Sequence, residues 1–555
     1  MNNHEIAEHL RQFADVLEIK GESVFRVVAY RRGAETIDHL PDAAADLVAQ
    51  DRLTDVAGIG PGLSAAVREL VETGHYSAME EVLGEVPSTL LTLLGIPGVG
   101  PKSVGRFYRE LGITSLSQLE SSARAGQLRA LKGFGAKQEA RILEGIAFLN
   151  RRTNRLSIGT ALPVAERIAD ALRETLGTRV EIAGSIRRRC ETVGNLDLLA
   201  AVASTEAIAT ALGVAPFVAE VEQADSAFVI AALHIGATLR VVAAHPSRFG
   251  TEMIRWTGSR EHVATLTSLA GGDLPSDGTE EAVYESLGLP WIPPELREAR
   301  GEIEAAGRIG LPPLVTVSDL QGDLHLHSEW SDGRATIPEL AEAARARGYQ
   351  YLSVSDHSGG LQIARGLDRQ RLRQQRAEID RVNGLVPEVR LLRSAEVEVH
   401  RDGRLDFPDE VLAELDIVVA SMHSGLRQTT REQLTARLVG VLRNPHVDIV
   451  AHPTGRIIER RPGADYDWNE VFRIARETGT AIEINGDPAR LDMDETHARA
   501  AAEAGVLISI DSDAHELASL DQVRYGVGIA RRAWIGPGSV VNTRHLPELL
   551  AWLGR

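Results

Sequence analysis

His325 and His327 stand two apart in DLHLHSEWSDG (323–333), and Asp332 follows in the same stretch. On a strand, side chains spaced by two share a face, so both imidazoles can reach one ion. Asp513 and His515, in VLISIDSDAH (506–515), repeat that spacing. His357, Glu396, His423 and His452 bring the set to nine, each at the polar end of an apolar run. A single histidine of this kind is usually a packed or solvent-facing side chain, but nine at equivalent places point to a multinuclear metal site. The chain has one cysteine, Cys190, which excludes an internal disulfide and any thiolate-rich zinc module. Imidazole with carboxylate suits zinc, manganese or iron. Ions held together, with a carboxylate such as Glu396 bridging two, would generate hydroxide at neutral pH and neutralise oxygens on phosphorus, so phosphoester hydrolysis is the natural reaction. The four lysines are Lys20, Lys102, Lys132 and Lys137, so no amine nucleophile is available beyond Lys137.

The runs that must position these residues are YLSVSDHS (351–358), LLRSAEVEV (391–399), IVVASMHS (417–424), VDIVAHP (447–453), AIEINGD (481–487) and VLISIDSDAH (506–515). Amphipathic helical stretches separate them. Strand, polar tip and helix in repetition predict a β/α barrel with its site at the C-terminal ends of the strands. A doubly wound sheet has the same local pattern, but does not normally draw ligands from all its strand ends.

A second chemical stretch is GSIRRRCETVGNLDLL (184–199). A Gly-Ser turn after a β-type run, followed by an Asp-x-Asp pair, is how a nucleotidyltransferase holds a triphosphate and two metal ions. Here the pair is Asn195-x-Asp197, and an amide is a poor ligand for a hard divalent ion. The stretch was either never such a site or is a damaged one. Around it, residues 155–245 alternate helix and strand signals, which predicts an α/β palm-like domain. A mostly helical piece follows to about residue 300. ELREARGEIEAAGRIGLPPLVTVSD is polar and then Pro-rich, and reads as a linker.

The first 150 residues read as short helices joined by three similar turns, AGIGPGL (57–63), PGVGPKS (97–103) and KGFGAKQ (132–138). An apolar-Gly-x-Gly turn between helices offers backbone N–H groups and a helix N-terminus to a nucleic-acid phosphate. The candidate contacts are Gly58, Gly60, Gly98, Gly100, Gly133 and Gly135, with Lys102 and Lys137 beside two of the turns. A formal charge of −18 argues against a generally basic nucleic-acid coat, yet binding through amides tolerates it. No apolar run approaches the length of a membrane span, and the N-terminus lacks a secretory apolar core, so a cytoplasmic protein is expected.

DLHLHS…SDG, SDHS, the Glu of SAEVEV, SMHS, AHPTGR and SDAH resemble the motif series of the polymerase and histidinol phosphatase (PHP) domain. Over its whole length the chain is similar to bacterial family X DNA polymerases that carry such a domain at the C-terminus. The resemblance implies a multidomain fold: an N-terminal all-α helix-hairpin-helix region, an α/β palm of the nucleotidyltransferase type with a small thumb, and a distorted seven-stranded β/α (PHP) barrel. The implied divisions are 1–80 (lyase-like), 81–152 (fingers-like), 153–245 (palm-like), 246–300 (thumb-like), 301–318 (linker) and 319–555 (PHP). It further implies that the nine residues bind up to three Mn2+ or Zn2+ ions, with His325, His327, Glu396, Asp513 and His515 as the catalytic ones. The activity would be a 3′→5′ exonuclease or related DNA phosphoesterase in DNA repair, base excision repair included. Glu398 stands where Asp is more usual.

In that family the Gly-Ser-x-Arg-Arg run binds the triphosphate, which assigns Gly184, Ser185 and Arg188; Asp197 is the second metal carboxylate, Asn195 replaces the first, and Thr238 of ATLRVV replaces the third. Val263 stands where Asn is common, and TSLAGGDLPSDG is shorter than a usual thumb segment. Gly62 and Ala66 replace the lysines of lyase-active members, and a Schiff base needs an amine. The palm is therefore expected to hold neither Mg2+ nor dNTP productively, and polymerisation to be weak or absent. Two other readings are an active gap-filling polymerase using Glu191 or Glu181 as substitute ligand, and a non-catalytic DNA-end scaffold. The expected partner is DNA with gaps, nicks or 3′ ends, bound by a monomer, with no membrane.

Overall fold

The computed structural model describes residues 3–554 except 39, 41–43, 57, 88, 97, 132, 153, 154, 362, 363, 427 and 428. Ala57, Pro97 and Lys132, which open the three Gly motifs, thus lie outside the described residues. The chain divides into two units, Met1–Asn154 and Arg155–Arg555.

The first unit is helical. In Asn3–Lys20, apolar residues recur at Ile6, Leu10, Phe13 and Leu17, the helical period, and all four have 0% exposure. They pack against Val24–Asp38, while the Phe13 ring meets Tyr30 and Tyr76 edge-on with centroids 4.7 and 4.9 Å away. The three Gly turns have one conformation. Gly58, Gly98 and Gly133 lie at φ +93°, +81° and +91°, a region that only glycine enters without strain. After each, a helix begins: Pro61–Thr73, Pro101–Leu111 and Ala136–Arg152. Gly60 and Gly100 cap the first two with no side-chain hydrogen bond, so the orphan N–H groups of those first turns have no side-chain acceptor from the cap.

The second unit contains a five-stranded and a seven-stranded sheet, besides a short antiparallel pair of Leu156–Ser157 with Thr192–Val193. The five-stranded sheet has the order Val180–Ile182, Leu196–Ala200, Thr238–Ala243, Phe228–Leu233, Val218–Ala224, with only the second and third strands parallel. Ile158–Leu176 packs across it, burying Ala161, Ala165, Ile168 and Leu172. Three helices follow, Phe249–Thr257, Arg260–Leu269 and Glu280–Ser286. The stretch 301–318 contains the helix Glu302–Arg308 and is bonded to the barrel, where Val315 N–H donates to Ile535 O at 3.0 Å.

The seven-stranded sheet is all parallel and runs in chain order: Gly322–Leu326, Tyr351–Val354, Arg390–Glu398, Ile417–Ser421, Ile449–Val450, Ala481–Asn485, Ile508–Asp511. It is nearly closed into a barrel: past the last strand, Asp513 N–H donates to His325 O and His327 N–H to Ala514 O, both at 2.9 Å. Parallel strands of this kind are buried on both faces, which is why they read as continuous apolar runs. Among the described residues, no helix is long and apolar enough to cross a membrane.

A buried ion network fastens the Gly-Ser-x-Arg-Arg stretch to the following helices. Glu280 accepts from Arg187 at 2.8 and 2.6 Å and from the fully buried Arg297 at 2.5 Å. Burial opposes the Glu280 charge, but the two guanidinium groups outweigh it and hold the carboxyl down at about 2. A depressed carboxyl contributes stability above its unfolded value near 4.5, and that contribution is lost as pH falls toward 2. Wild-type protein should therefore lose thermal midpoint steeply between pH 4.5 and 2. Glu280→Gln should be less stable at pH 7 by about 3 kcal/mol or more, because Arg297 is left buried and uncompensated, and should have a flatter acid limb. Parallel melting curves across that pH range would check this.

Candidate metal centre

All seven parallel strands end at one mouth, and six of them deliver the nine candidate ligands there. His325 is the penultimate residue of the first strand and His327 follows its end. Glu396 lies within the third strand, His357 and His423 follow the second and fourth, and His452 follows the fifth. Asp513 and His515 depart from expectation: the seventh strand ends at Asp511, and Asp513 adopts φ +54°. A turn, not a shared strand face, brings them to the site.

The structure draws all nine together. Four overlapping groups have ligand atoms within 4.8 Å of one another: His327, Asp332, His357 and His515; His325, Glu396 and His452; His325, His327 and Asp513; His357, Glu396 and His423. Glu396 is their centre, with Oε2 2.6 Å from His357 Nδ1, 3.5 Å from His325 Nε2 and 3.6 Å from His327 Nε2. Its Oε1 lies 3.0 Å from His452 Nε2 and 3.4 Å from His423 Nε2. His325 Nε2, His327 Nδ1, His452 Nδ1 and, despite the close approach of His357 Nδ1, Glu396 Oε2 are buried polar atoms with no contact of hydrogen-bond geometry. Such atoms are costly unless something else satisfies them. Six imidazoles, three carboxylates and these four atoms fit divalent ions.

The electrostatics match a site built around charge. Burial disfavours the Glu396 carboxylate, but His357, His423 and His325 hold it well below the ordinary range. Asp513 is likewise buried yet lowered by His325, His327 and His515. His325 is pushed well above its usual value, because Glu483, Asp513 and Glu396 outweigh its burial. His327 goes the other way, down to about 3, through burial and its neighbours His515 and His357.

A further layer holds the candidate ligands. Glu398, at the end of the third strand, accepts from His423 Nδ1 at 2.7 Å and from Ser424 Oγ at 3.1 Å, so the longer side chain still orients a ligand. Asp356 accepts from Ser328 N–H at 2.9 Å, from Ser331 N–H at 3.1 Å and from the Gln375 amide, which fixes the loop carrying Asp332. Asp356 lies within SDHS and Glu483 and Asn485 within AIEINGD, but nothing in the sequence assigned these three a role.

The palm stretch has a different geometry. Asn195 and Asp197 do meet, with Asn195 Nδ2 donating to Asp197 Oδ1 at 2.9 Å. The same oxygen accepts from Arg240 Nε at 2.8 Å, since parallel pairing sets Asp197 level with Arg240. Burial pushes the Asp197 carboxyl up, although Arg240 and Asn195 pull it down. Gly184, at φ +62°, approaches so closely that a Cβ there would stand 2.3 Å from Asp197 Oδ2. Arg188 is engaged by Glu298 at 2.9 Å and by Thr257 O at 2.6 Å. Thr238 is exposed at the start of its strand. Glu191 is paired with Arg456 at 2.8 Å and Glu181 with Arg179 at 3.1 Å. The turn residues Gly58, Gly60, Gly98, Gly100, Lys102, Gly133, Gly135 and Lys137 belong to the other unit.

Comparison with known proteins covers both units. Residues 1–76 match the family described as helix-hairpin-helix domain, residues 90–147 the SAM-like helix-hairpin-helix tandem, and residues 264–298 the DNA polymerase beta thumb. The chain is 35% identical over 576 aligned residues, covering 100% of both chains, to the DNA polymerase/3′-5′ exonuclease PolX of Bacillus subtilis (strain 168). It is also similar to a probable phosphatase of Thermoanaerobacter sp. (strain X514), 30% identical over 40% of this chain and 89% of the other. A probable phosphatase of Acetivibrio thermocellus is 31% identical over 36% of this chain and 83% of its own.

Proposed function

Since the chain belongs to the bacterial family X DNA polymerases with a C-terminal PHP domain, we propose that its working centre is the barrel mouth, which hydrolyses DNA phosphoesters at 3′ ends, while its palm polymerises weakly or not at all. The observation that carries this is the convergence of the nine residues on one mouth, five of their imidazoles around Glu396, with four buried polar atoms lacking a partner. Mn2+ or Zn2+ ions bound there would supply Lewis acidity toward a phosphoester and activate water for attack. The protein's own part is to fix the imidazoles, to provide three carboxylates against the positive charge, and to keep amine and thiol nucleophiles away: residues 319–555 contain neither lysine nor cysteine. Water adds to phosphorus and one P–O bond breaks, with no covalent protein intermediate. The test is release of label from a 3′-labelled strand by metal-loaded protein, with a chelator arm. No release with either Mn2+ or Zn2+ would refute the reading.

The gap-filling reading loses support from the pairing of Asp197 with Arg240 and of Glu191 with Arg456. A scaffold without catalysis leaves the orphaned atoms of the centre unexplained.

DNA would be held by the three Gly turns of the first unit through backbone N–H groups, without reading sequence. Gly100 is the most informative position, because a Cβ there meets nothing within 4 Å and its φ is −96°. Gly100→Val should fold normally yet stand where a phosphate approaches. Each lost hydrogen bond to a charged group is worth about 1.5 kcal/mol or more, so affinity for a fluorescent duplex should fall about tenfold. Unchanged anisotropy curves would make these turns structural only.

A further inference from the structure

The sixth barrel strand, Ala481–Asn485, contributes none of the nine candidate ligands, yet its two polar side chains Glu483 and Asn485 have 0% exposure. Buried polar groups of this kind are retained only where they are satisfied, and both are bonded to the ligands themselves. Glu483 Oε1 lies 2.7 Å from His325 Nδ1. That bond fixes the proton on Nδ1 and turns the unpartnered Nε2 toward Glu396 Oε2 and Asp513 Oδ1, 3.5 and 3.8 Å away. Glu483 Oε2 accepts from the main-chain N–H of His452 at 2.6 Å. His452 has φ +25°, outside the regions that non-glycine residues ordinarily occupy, so this bond holds a backbone conformation that would not persist unsupported. Asn485 completes the arrangement. Its Nδ2 donates to Glu483 Oε2 at 3.2 Å and to Asp513 Oδ2 at 3.0 Å. Its Oδ1 accepts from Asp487 N–H at 2.9 Å, which sets the orientation of the amide.

We infer that Glu483 and Asn485 are positioning residues of the metal centre, which set the ring of His325, the backbone of His452 and the Oδ2 of Asp513 from one strand. The inference rests on the barrel mouth being a metal centre. One carboxylate serves two ligands from strands first and fifth in the barrel, and one amide ties it to a third ligand beyond the seventh. Two side chains present only for packing have no reason to bond, from one strand, three of the candidate ligand residues. Positioning groups of this kind typically contribute 10- to 100-fold in metal affinity.

The test uses the full chain, stripped of metal and titrated with Mn2+ and separately with Zn2+. Glu483→Ala is expected to weaken metal binding about 10- to 100-fold, with the melting temperature of the metal-free protein lowered and KM for a 3′-labelled strand unchanged. Glu483→Gln keeps the volume and one acceptor oxygen, so it should recover part of the affinity. Asn485→Ala should weaken binding by a smaller factor, since it releases one oxygen of Asp513. If Glu483→Ala fails to fold, Glu483→Gln carries the test. Metal affinity equal to wild type in the folded Glu483 variants overturns the inference. Wild-type protein that binds neither ion overturns the proposed metal centre instead.

Discussion

Glu396→Ala should abolish 3′-end hydrolysis and strip metal from the protein, while DNA binding by the first unit persists. The argument is one of charge and position. Five imidazoles lie within 3.6 Å of the Glu396 oxygens, so one carboxylate offsets the positive charge of the ions they would hold and belongs to two of the four ligand groups. With it gone, six imidazoles face two carboxylates, Asp332 and Asp513, which lie in the other groups. Neutral imidazoles cannot offset cationic charge as carboxylates do. Ion binding is worth several kcal/mol of transition-state stabilisation, and each ~1.4 kcal/mol is tenfold in rate. The fall should be about three orders of magnitude or more. Glu396→Gln separates charge from volume: it fills the same space and should be nearly as inactive. Metal content, hydrolysis and circular dichroism on the same preparations check the result. Full manganese-dependent hydrolysis by folded Glu396→Ala protein would make the barrel a bystander and send the search to the palm.

The candidate site was legible because most of its residues sit at or just past strand ends, where strand logic places them. Each is of a chemically narrow type at the end of an apolar run, and the parallel barrel brings strand ends together whatever the sequence between them. The groups that hold the ligands were not legible in the same way. Glu483 and His325 are 158 residues apart and meet only because the barrel closes, and an acidic residue in an apolar strand says nothing of which histidine it will face. Asp513 reached its predicted place by a different route, a left-handed turn rather than strand periodicity. In the palm sheet, Val218–Ala224 went unread because it is a charged edge strand with mostly exposed residues and irregular register, so the alternation that marks a half-buried strand is absent. The Arg240–Asp197 pair depends on register across a parallel pair of strands, and no local pattern encodes register.

That pair decides the second large effect, the expected failure of primer extension. Productive phosphoryl transfer in a palm needs anionic oxygens free to hold two ions. Of positions 195, 197 and 238 the palm offers one carboxylate, Asp197, and its Oδ1 already accepts from both Arg240 and Asn195. A guanidinium in that place neutralises the carboxylate a metal would need, and Arg188 is bound to Glu298 rather than turned to a phosphate. Losing two anionic ligands should remove one ion outright, and with it several kcal/mol of barrier lowering. Wild-type protein on gapped DNA with Mg2+ or Mn2+ should therefore extend a primer several orders of magnitude more slowly than ~1 per second. Asn195→Asp with Thr238→Asp restores two carboxylates at the ends of the adjacent strands that hold Asp197 and Arg240. A partial gain is expected from the double variant, and a larger one when Arg240→Leu frees the Asp197 oxygen as well. Extension by the wild type at ~1 per second or faster would sink the idea. No gain in the triple variant would place the defect beyond the metal ligands, in the short segment 267–278 or at Val263.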